Sequence, residues 1–278
     1  MDIFKIELRR AFKNKKFLIA LAIGLLLAGY NFITNMGLTD FYKFSVEYEK
    51  YHMLTPGGLF TNNILSSPLE LDRTLFFYSV VILGALPFAD SYVEDKVMGF
   101  NKNILSRASR KKYYTAKWLS VFISGFAICV LIAVFNFMLN MTIIPMLHPI
   151  IEGLGNSYGQ DSSRFLVKIF VSHPILHFIL FSILLGMYVG VLSTFGLLTS
   201  IFSENRFVAI LMPFLLTQVM GIIQSVFRIS RFYLPNDINT GNGQIDLKIA
   251  IAQIIIMGMV SFVLYVVVEN KRSHKIGI

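Results

Sequence analysis

Long runs without a charged residue constrain this chain more than any other feature. Six such runs contain no Asp, Glu, Lys or Arg: 17–36, 74–89, 118–144, 175–202, 207–227 and 249–268. A helix of about 20 apolar residues spans the roughly 30 Å hydrocarbon core of a bilayer. Five runs reach this length, and we extend the shorter run to 74–92. The sequence therefore predicts an all-α integral membrane protein with six transmembrane helices, which form a single domain over residues 1–278.

The basic residues indicate how these spans are oriented. Of the 25 Lys and Arg residues, 17 lie before span one, between spans two and three, between spans four and five, and after span six. Because positively charged flanks stay in the cytoplasm, both termini are predicted to be cytoplasmic. The net charge of +9 then reflects topology and contact with anionic lipid headgroups, and we expect no nucleic-acid partner.

The first sixteen residues carry a helical pattern ahead of span one. Apolar side chains recur at i, i+4, i+7 and i+8, and basic side chains occupy other faces; the two sets are Phe4, Leu8, Ala11 and Phe12, and Lys5, Arg9, Arg10 and Lys13. This pattern predicts an amphipathic helix at the membrane interface. The alternative is an ordinary basic anchor for span one. We expect that span to be permanent, because its apolar run is longer than a signal-peptide core and no small-x-small site closes it.

Several signatures are missing from the sequence. No G-x-x-x-x-G-K-[ST] motif occurs, so the chain has no predicted means of holding nucleotide phosphates. The six runs that form the cores of the predicted spans contain no Asp, Glu, Lys or Arg, which argues against an ion-coupled carrier. His173 and His177 stand at i, i+4, but they lack a nearby carboxylate or thiol, so packing explains them better than a metal. We predict no catalytic residue, no metal and no bound cofactor, and hence not an enzyme.

The segment between spans two and three is strongly basic. Residues 94–118 read "EDKVMGFNKNILSRASRKKYYTAKW", with seven Lys or Arg and two acids at the start. Gly99 can end the helix that leaves span two, and Ile104 and Leu105 provide a small apolar contact. From the residues alone, the segment is either a helix that docks on a cytoplasmic partner or a plain basic loop.

The arrangement E…G…ILS…SR…K in this segment resembles the cytoplasmic loop of ABC-2 type ABC-transporter permeases. The basic start "FKIELRRAFKNKKFLIAL" and the six-span plan are also similar to that family. The resemblance implies a coupling helix between spans two and three that sits on a separate ATP-binding subunit. Proline, which often occurs in the family near the position of Ala108, is absent here.

Carried over to this chain, the resemblance implies a contact surface for the ATPase. Its residues would be Glu94, Gly99, Ile104, Leu105, Arg107 and Arg110. Leu105 would enter a groove of the partner, and the two arginines would pair with acids at its rim. Two ATP-binding subunits, with ATP and Mg, would join this chain and a second permease chain. Lys117 and Trp118 would mark the membrane surface where span three begins.

Polar stripes on the spans are the candidates for a substrate pathway. Thr217, Gly221 and Gln224 share a face of span five, and Asn136 and Asn140 share a face of span three. A comparable stripe on span one contains Gly24, Ala28, Asn31 and Asn35. These faces should point away from lipid, and hydrogen bonding between helices is the alternative role. In the similar family spans two and five line the route, which favours the span-five stripe. Gly186 and Gly190 form a G-x-x-x-G that indicates close helix packing.

These observations predict the permease subunit of an ATP-driven exporter in the cytoplasmic membrane of a bacterium. The absence of charge from the spans favours a hydrophobic or amphipathic cargo, such as a bacteriocin-like peptide or a drug. Export of a glycolipid or polysaccharide is the alternative within this class. A non-transporting membrane scaffold or sensor is the alternative outside it.

Overall fold

A computed structural model describes residues 3–37, 58–60, 62–67, 69–99, 109–146, 166–228 and 247–275, except for the side chains of 167 and 269–275. Every regular element in these residues is a helix. In chain order they are α1 (Ile3–Lys13), α2 (Lys15–Met36), α3 (Glu70–Ala85), α4 (Ser91–Val97), α5 (Arg110–Asn140), α6 (Val167–Ser172), α7 (Pro174–Phe202), α8 (Arg206–Phe227) and α9 (Leu247–Lys275).

Five of these helices are long and apolar enough to cross a membrane. They are α2, α5, α7, α8 and the Leu247–Val268 part of α9. Their outward faces are apolar and exposed; for example, Leu26 is 73% exposed on α2 and Phe207 is 74% exposed on α8. Such faces require an apolar surrounding, because soluble proteins rarely leave large apolar surfaces in water. The chain is thus all-helical, and its helices are those of a multi-pass membrane protein.

The second predicted span, 74–92, has different boundaries in the structure. Helix α3 contains 16 residues and starts before the predicted span, at Glu70. It ends at Ala85, two residues before Pro87, which has no backbone N–H for a further helical bond. Turns over 86–90 then lead into α4. Although shorter than a typical span, α3 is packed among α2, α5, α7 and α8 inside the bundle.

Small residues allow the central helices to approach closely. A Cβ atom built on Gly190 would lie 2.7 Å from the carbonyl oxygen of Phe122, and one on Gly186 would lie 2.9 Å from Val130. The expected packing role of this G-x-x-x-G on α7 is therefore confirmed, with α5 as the partner. Where α3, α5 and α7 meet, a Cβ on Gly125 would lie 2.5 Å from Ser193 Oγ.

Two polar regions lie at opposite ends of this bundle. Helix α5 runs from Lys117 near its start to Asn136 near its end, a distance of about 28 Å at the rise of an α-helix. Around Lys117 gather α1, α4 and the turn between α7 and α8, and we call this the charged end. Around Asn136 gather the last turns of α2 and residues 62–64, and we call this the asparagine end.

Candidate functional site

The charged end is built where two chain corners meet. The first corner joins α1 to α2 at Asn14, whose Oδ1 accepts a hydrogen bond from the Lys16 backbone N–H at 3.1 Å and caps α2. The second corner joins α3 to α4 and contains Pro87. Asn14 Nδ2 donates to the carbonyl oxygen of Pro87 at 3.2 Å. One side chain therefore caps a helix and holds the two corners together.

Asp95 on α4 is the centre of the charged end. Arg10 of α1 donates to both of its carboxylate oxygens, with Nη2–Oδ1 at 2.5 Å and Nη1–Oδ2 at 3.4 Å. The hydroxyl of Tyr113 donates to Oδ2 at 2.5 Å, and the ammonium of Lys117 pairs with the same oxygen. Asp95 and Lys117 are both fully buried. A carboxylate with several donors from two other helices is fixed in position, because losing any donor would leave buried charge unbalanced.

Glu7 extends this centre along α1. Its Oε1 accepts from Arg10 Nη1 at 2.9 Å, and its Oε2 lies 3.4 Å from Lys117 Nζ. The ring of Phe88 completes the contact, with the Lys117 ammonium 5.4 Å and the Arg10 guanidinium 5.8 Å from its centroid. Both distances are within the range of cation–π attraction. The inner face of α1 is thus attached to α4 and α5 by paired charges.

A second set of ion pairs connects α4 to α2 and α8. Lys16 Nζ lies 2.5 Å from Asp90 Oδ2 and 2.6 Å from Glu94 Oε1. Glu94 Oε1 also lies 3.3 Å from Arg206 Nη1, at the start of α8. At the surface, Lys96 pairs with Glu204 in the turn between α7 and α8. Helix α4 therefore contacts α1, α2, α5 and the α7–α8 turn through charged side chains.

The charges of this cluster balance. Apart from the surface pair, the ion pairs of the described residues join four acids to four bases: Glu7, Asp90, Glu94 and Asp95, and Arg10, Lys16, Lys117 and Arg206. Burial alone would raise the pKa of Asp95, but the charge of Lys117 and the hydrogen bonds from Arg10, Lys117 and Tyr113 outweigh it, so this pKa is lowered. Asp95 therefore stays ionised at physiological pH, whereas burial raises the pKa of Asp90 despite its pairing with Lys16.

Each acid of this cluster has a base beside it, and two buried carboxylate oxygens, Glu7 Oε2 and Asp90 Oδ1, have no hydrogen-bond partner among the described residues. The cluster connects α4, from which the chain continues toward residues 100–108, to helices on several sides. A displacement of α4 must move α1 and the start of α5 as well, because breaking the pairs would strand buried charges.

The residues expected at the ATPase interface fall partly within this cluster. Glu94 lies in it, paired with Lys16 and Arg206. Gly99 follows the end of α4 with a φ of 68°, a left-handed conformation that suits glycine after a helix. Arg110 is the first residue of α5 and is half-buried. Ile104, Leu105 and Arg107 lie outside the described residues. Contact of any of these residues with an ATPase stays a prediction.

Lys117 and Trp118 differ from the expectation that they mark the membrane surface. Lys117 is fully buried by its pairing with Asp95 and Glu7. Trp118 is half-buried, and its Nε1 donates to Ser261 Oγ of α9 at 2.9 Å. Both point into the bundle, because α1, α4 and α9 cover this part of α5.

The pathway candidates divide between two places. On α8, Thr217 is buried and donates to the Phe214 carbonyl at 2.7 Å, whereas Gly221 and Gln224 on the same face are half-buried. Asn136 and Asn140 are fully buried at the asparagine end. Whether any of these residues touches a cargo stays a prediction.

The asparagine end is a network of side-chain amides. Asn31 Oδ1 accepts from the amides of Asn136 at 2.9 Å and Asn140 at 3.1 Å. Asn35 donates to Asn140 Oδ1 at 2.8 Å, and Asn136 Oδ1 accepts from the Ile64 backbone N–H at 2.8 Å. The expectation that the stripes turn away from lipid is confirmed for spans one and three, whose stripe residues are buried inside the bundle. These contacts are hydrogen bonds between helices, which is the role that we gave as the alternative to a substrate pathway.

One carboxylate enters this network. Asp72, in the first turn of α3, is only 3% exposed and accepts from Asn31 Nδ2 at 2.7 Å and from Thr34 Oγ1 at 2.9 Å. The predicted second span starts after Asp72, so the sequence argument that the spans lack charge missed it. Asp72 and Lys117 show that ionisable side chains are buried inside this bundle near both ends.

The residues that sequence reasoning missed are Glu7, Arg10, Asp95, Lys117 and Asp72. A signal for Glu7 and Asp95 was present. Glu7 shares a helical face with Ala11 rather than with the exposed cations, and two acids follow directly on an apolar run as "VED" before the basic segment.

No protein-family model, no curated protein and no solved structure matches this chain.

Proposed function

We propose that this chain is the permease subunit of an ATP-driven exporter of the ABC-2 type. In this proposal the chain crosses the cytoplasmic membrane of a bacterium six times, with α3 as the second span, and the charged end faces the cytoplasm. The proposed ATPase contact lies between spans two and three and includes Glu94, Gly99 and Arg110 among the described residues. The observation that supports the proposal is the buried, balanced cluster that joins α4, within that segment, to α1, α2, α5 and α8.

The cluster gives the proposal a mechanism. Two ATP-binding subunits close on ATP and push the segment that follows α4. Asp95 and Glu94 carry this displacement into the bundle, since they are paired with Arg10, Lys117 and Lys16. The spans of this chain and of a second permease chain then switch access from the cytoplasm to the outside. Binding and hydrolysis of ATP take place in the partner subunits.

The proposed cargo is a hydrophobic or amphipathic molecule, such as a peptide or a drug. The inner face of α8 runs from Ala209 through Pro213 and Thr217 to Gly221 and Gln224, and it carries no charged side chain. A face of this kind fits an apolar cargo with few hydrogen-bonding groups. A glycolipid or polysaccharide is the alternative cargo.

Co-purification with an ATP-binding subunit tests the proposal. The chain would be co-expressed with candidate ATP-binding subunits from the same genome and reconstituted in proteoliposomes. We expect charge reversal by Arg107→Glu and Arg110→Glu to weaken association or ATPase stimulation by about tenfold or more, because rim charges guide docking. Arg228→Glu at the other end of the bundle is the control and should leave both unchanged. Absence of any ATP-binding partner, or full ATPase stimulation in the double variant, would contradict the proposal.

Buried Asp72 favours one other candidate function, an ion-coupled carrier. Its hydrogen-bonding partners among the described residues are neutral. Burying an acid inside a membrane protein is costly, and such residues are usually retained for a function. In this case a proton or sodium gradient would drive uptake into ATP-free proteoliposomes, and Asp72→Asn would abolish it. No gradient-driven uptake by the wild-type chain would exclude the carrier. A scaffold or sensor would show neither an ATPase partner nor uptake.

A further inference from the structure

The outer side of α1 carries a ridge of cations. Lys5, Arg9 and Lys13 stand at i, i+4 and i+8, and all three are exposed. The opposite side of the helix is buried at Glu7 and Ala11. The ion pairs of the charged end therefore fix which side of α1 faces outward, and they leave this row of positive charge on the surface.

The cations of the ridge differ from Arg10 in their surroundings. Arg10 is matched by Glu7 and Asp95, whereas no acid of the described residues pairs with Lys5, Arg9 or Lys13. Further exposed cations flank the ridge: Lys15 at the start of α2, and Lys111 and Lys112 at the start of α5, on which α1 packs. We call these six exposed cations the basic face.

The position of the basic face along the helices, relative to the exposed apolar side chains, indicates its binding partner. On α2, Leu18 and Ile19 are 62% and 52% exposed, only about 5–6 Å along the helix beyond Lys15. On α5, Leu119 is 41% exposed, about 10 Å beyond Lys112. The cations thus lie one headgroup layer away from the side chains that face the hydrocarbon.

Apolar side chains are interspersed with the ridge. Phe4, Leu8 and Phe12 on α1 are only half-buried. Alternation of lysine or arginine with exposed aromatic and leucine side chains is typical of helices that lie in a bilayer interface. An acidic protein surface would complement the positive charges. It would not explain why exposed apolar side chains of α2 and α5 lie directly beside them.

We propose that the basic face binds the phosphate groups of anionic phospholipids. The ammonium and guanidinium groups contact the phosphates, and the half-buried aromatic and leucine side chains pack against the upper part of the acyl chains. The inference goes beyond the proposed transport function and is independent of it, since it requires only that α2 and α5 cross a bilayer. It implies a preference for anionic over zwitterionic lipid at this end of the protein.

Lipid titration followed by native mass spectrometry tests this inference. The full chain, delipidated in detergent, is titrated with phosphatidylglycerol and, separately, with phosphatidylcholine. In the ridge variant, Lys5, Arg9 and Lys13 are changed to Gln. The control variant changes the exposed cations Lys168, Arg228 and Lys248 at the asparagine end to Gln, so both variants lose the same charge. Thermal unfolding of both variants confirms that they are folded.

We expect the Kd of the ridge variant for phosphatidylglycerol to rise about tenfold, with its weak binding of phosphatidylcholine unchanged. The control variant should retain most of the preference for phosphatidylglycerol. The inference is overturned if the ridge variant binds phosphatidylglycerol as the wild type does, or if both variants lose it equally. If the ridge variant keeps its lipid binding but no longer co-purifies with an ATP-binding subunit, the basic face is a protein-docking surface instead.

Discussion

The two ends of the bundle are held together by different chemistry. At the charged end, Asp95, Lys117 and their neighbours form ion pairs in which each buried charge depends on another. At the asparagine end, neutral amides share partners: Asn31 Oδ1 accepts from both Asn136 and Asn140, and buried Asp72 accepts from the neutral groups of Asn31 and Thr34. Breaking a buried ion pair leaves a charge without compensation, whereas a neutral amide can exchange one partner for another at a smaller cost.

This difference indicates where the helices can move relative to one another. The charged end should behave as one rigid unit that includes α1, α4 and the first turns of α5. The asparagine end can rearrange, because exchanging amide partners costs little in a membrane protein, on the order of 0.6 kcal/mol per hydrogen bond. In a transporter, such a bundle would take up force at the charged end and change its shape at the other.

The largest loss of stability is expected from substitution of Lys117. Lys117→Met removes the cation between Asp95 and Glu7 and leaves two fully buried carboxylates, balanced only by Arg10. We expect a loss of about 3–5 kcal/mol in the free energy of unfolding, measured by denaturant titration of the protein in detergent micelles. Lys168→Met, at an exposed position on α6, is the matched control and should change it little.

A second variant shows whether charge is the cause. Adding Asp95→Asn to Lys117→Met removes one of the stranded carboxylates, so the double variant should be more stable than Lys117→Met alone. If the double variant were less stable by the full sum of the two single effects, the cluster would not be held by paired charge, and the contrast between the two ends would disappear.

The next largest loss of stability is expected from a substitution at the asparagine end. Asn136→Leu removes the amide that donates to Asn31 Oδ1 and to the Ala28 carbonyl and that accepts from the Ile64 backbone N–H. Because the groups left behind are neutral, we expect a loss of about 1–3 kcal/mol, less than for Lys117→Met, in the same denaturant titration. Gln218→Leu, at a half-buried position on α8, is the control for replacing an amide by leucine. A larger loss for Asn136→Leu than for Lys117→Met would reverse the comparison.

The sequence predicts much of the fold because long apolar runs determine membrane helices almost directly. Three of the five long helices match the predicted spans closely at both ends, whereas Arg110–Asn140 starts eight residues before its predicted span and Leu247–Lys275 continues seven residues past its own. The stripe of Asn136 and Asn140 was correctly placed on a buried face, since an amide in hydrocarbon needs a partner. The second span was less well placed, because Pro87 interrupts the helix there and Asp72 adds a charged first turn.

The charged end could not be predicted in the same way. The ion pair between Asp95 and Lys117 joins residues 22 apart in the chain, and that between Arg10 and Asp95 joins residues 85 apart. Hydrophobic periodicity shows that a face is apolar, but it does not show which helix that face will meet. Lys117, beside Trp118 at the edge of an apolar run, matched the pattern of a membrane-surface anchor, and only the packing of α1 and α4 makes it a buried cation.

Acid should loosen the charged end, with a smaller effect than either substitution. Since the pKa of Asp95 lies below its ordinary value of 3.8, its ion pairs contribute stability that is complete above that value and is lost as the pH falls through the lower folded pKa. Trp118, the single tryptophan, lies at this end against Phe122 and Phe262 and reports on it by fluorescence. We expect its emission to shift as the pH falls below 3.8, and to vary less with pH in Asp95→Asn, which cannot titrate. The same shift in wild type and Asp95→Asn would assign the transition to other carboxylates and separate the acid response from the ion pairs of Asp95.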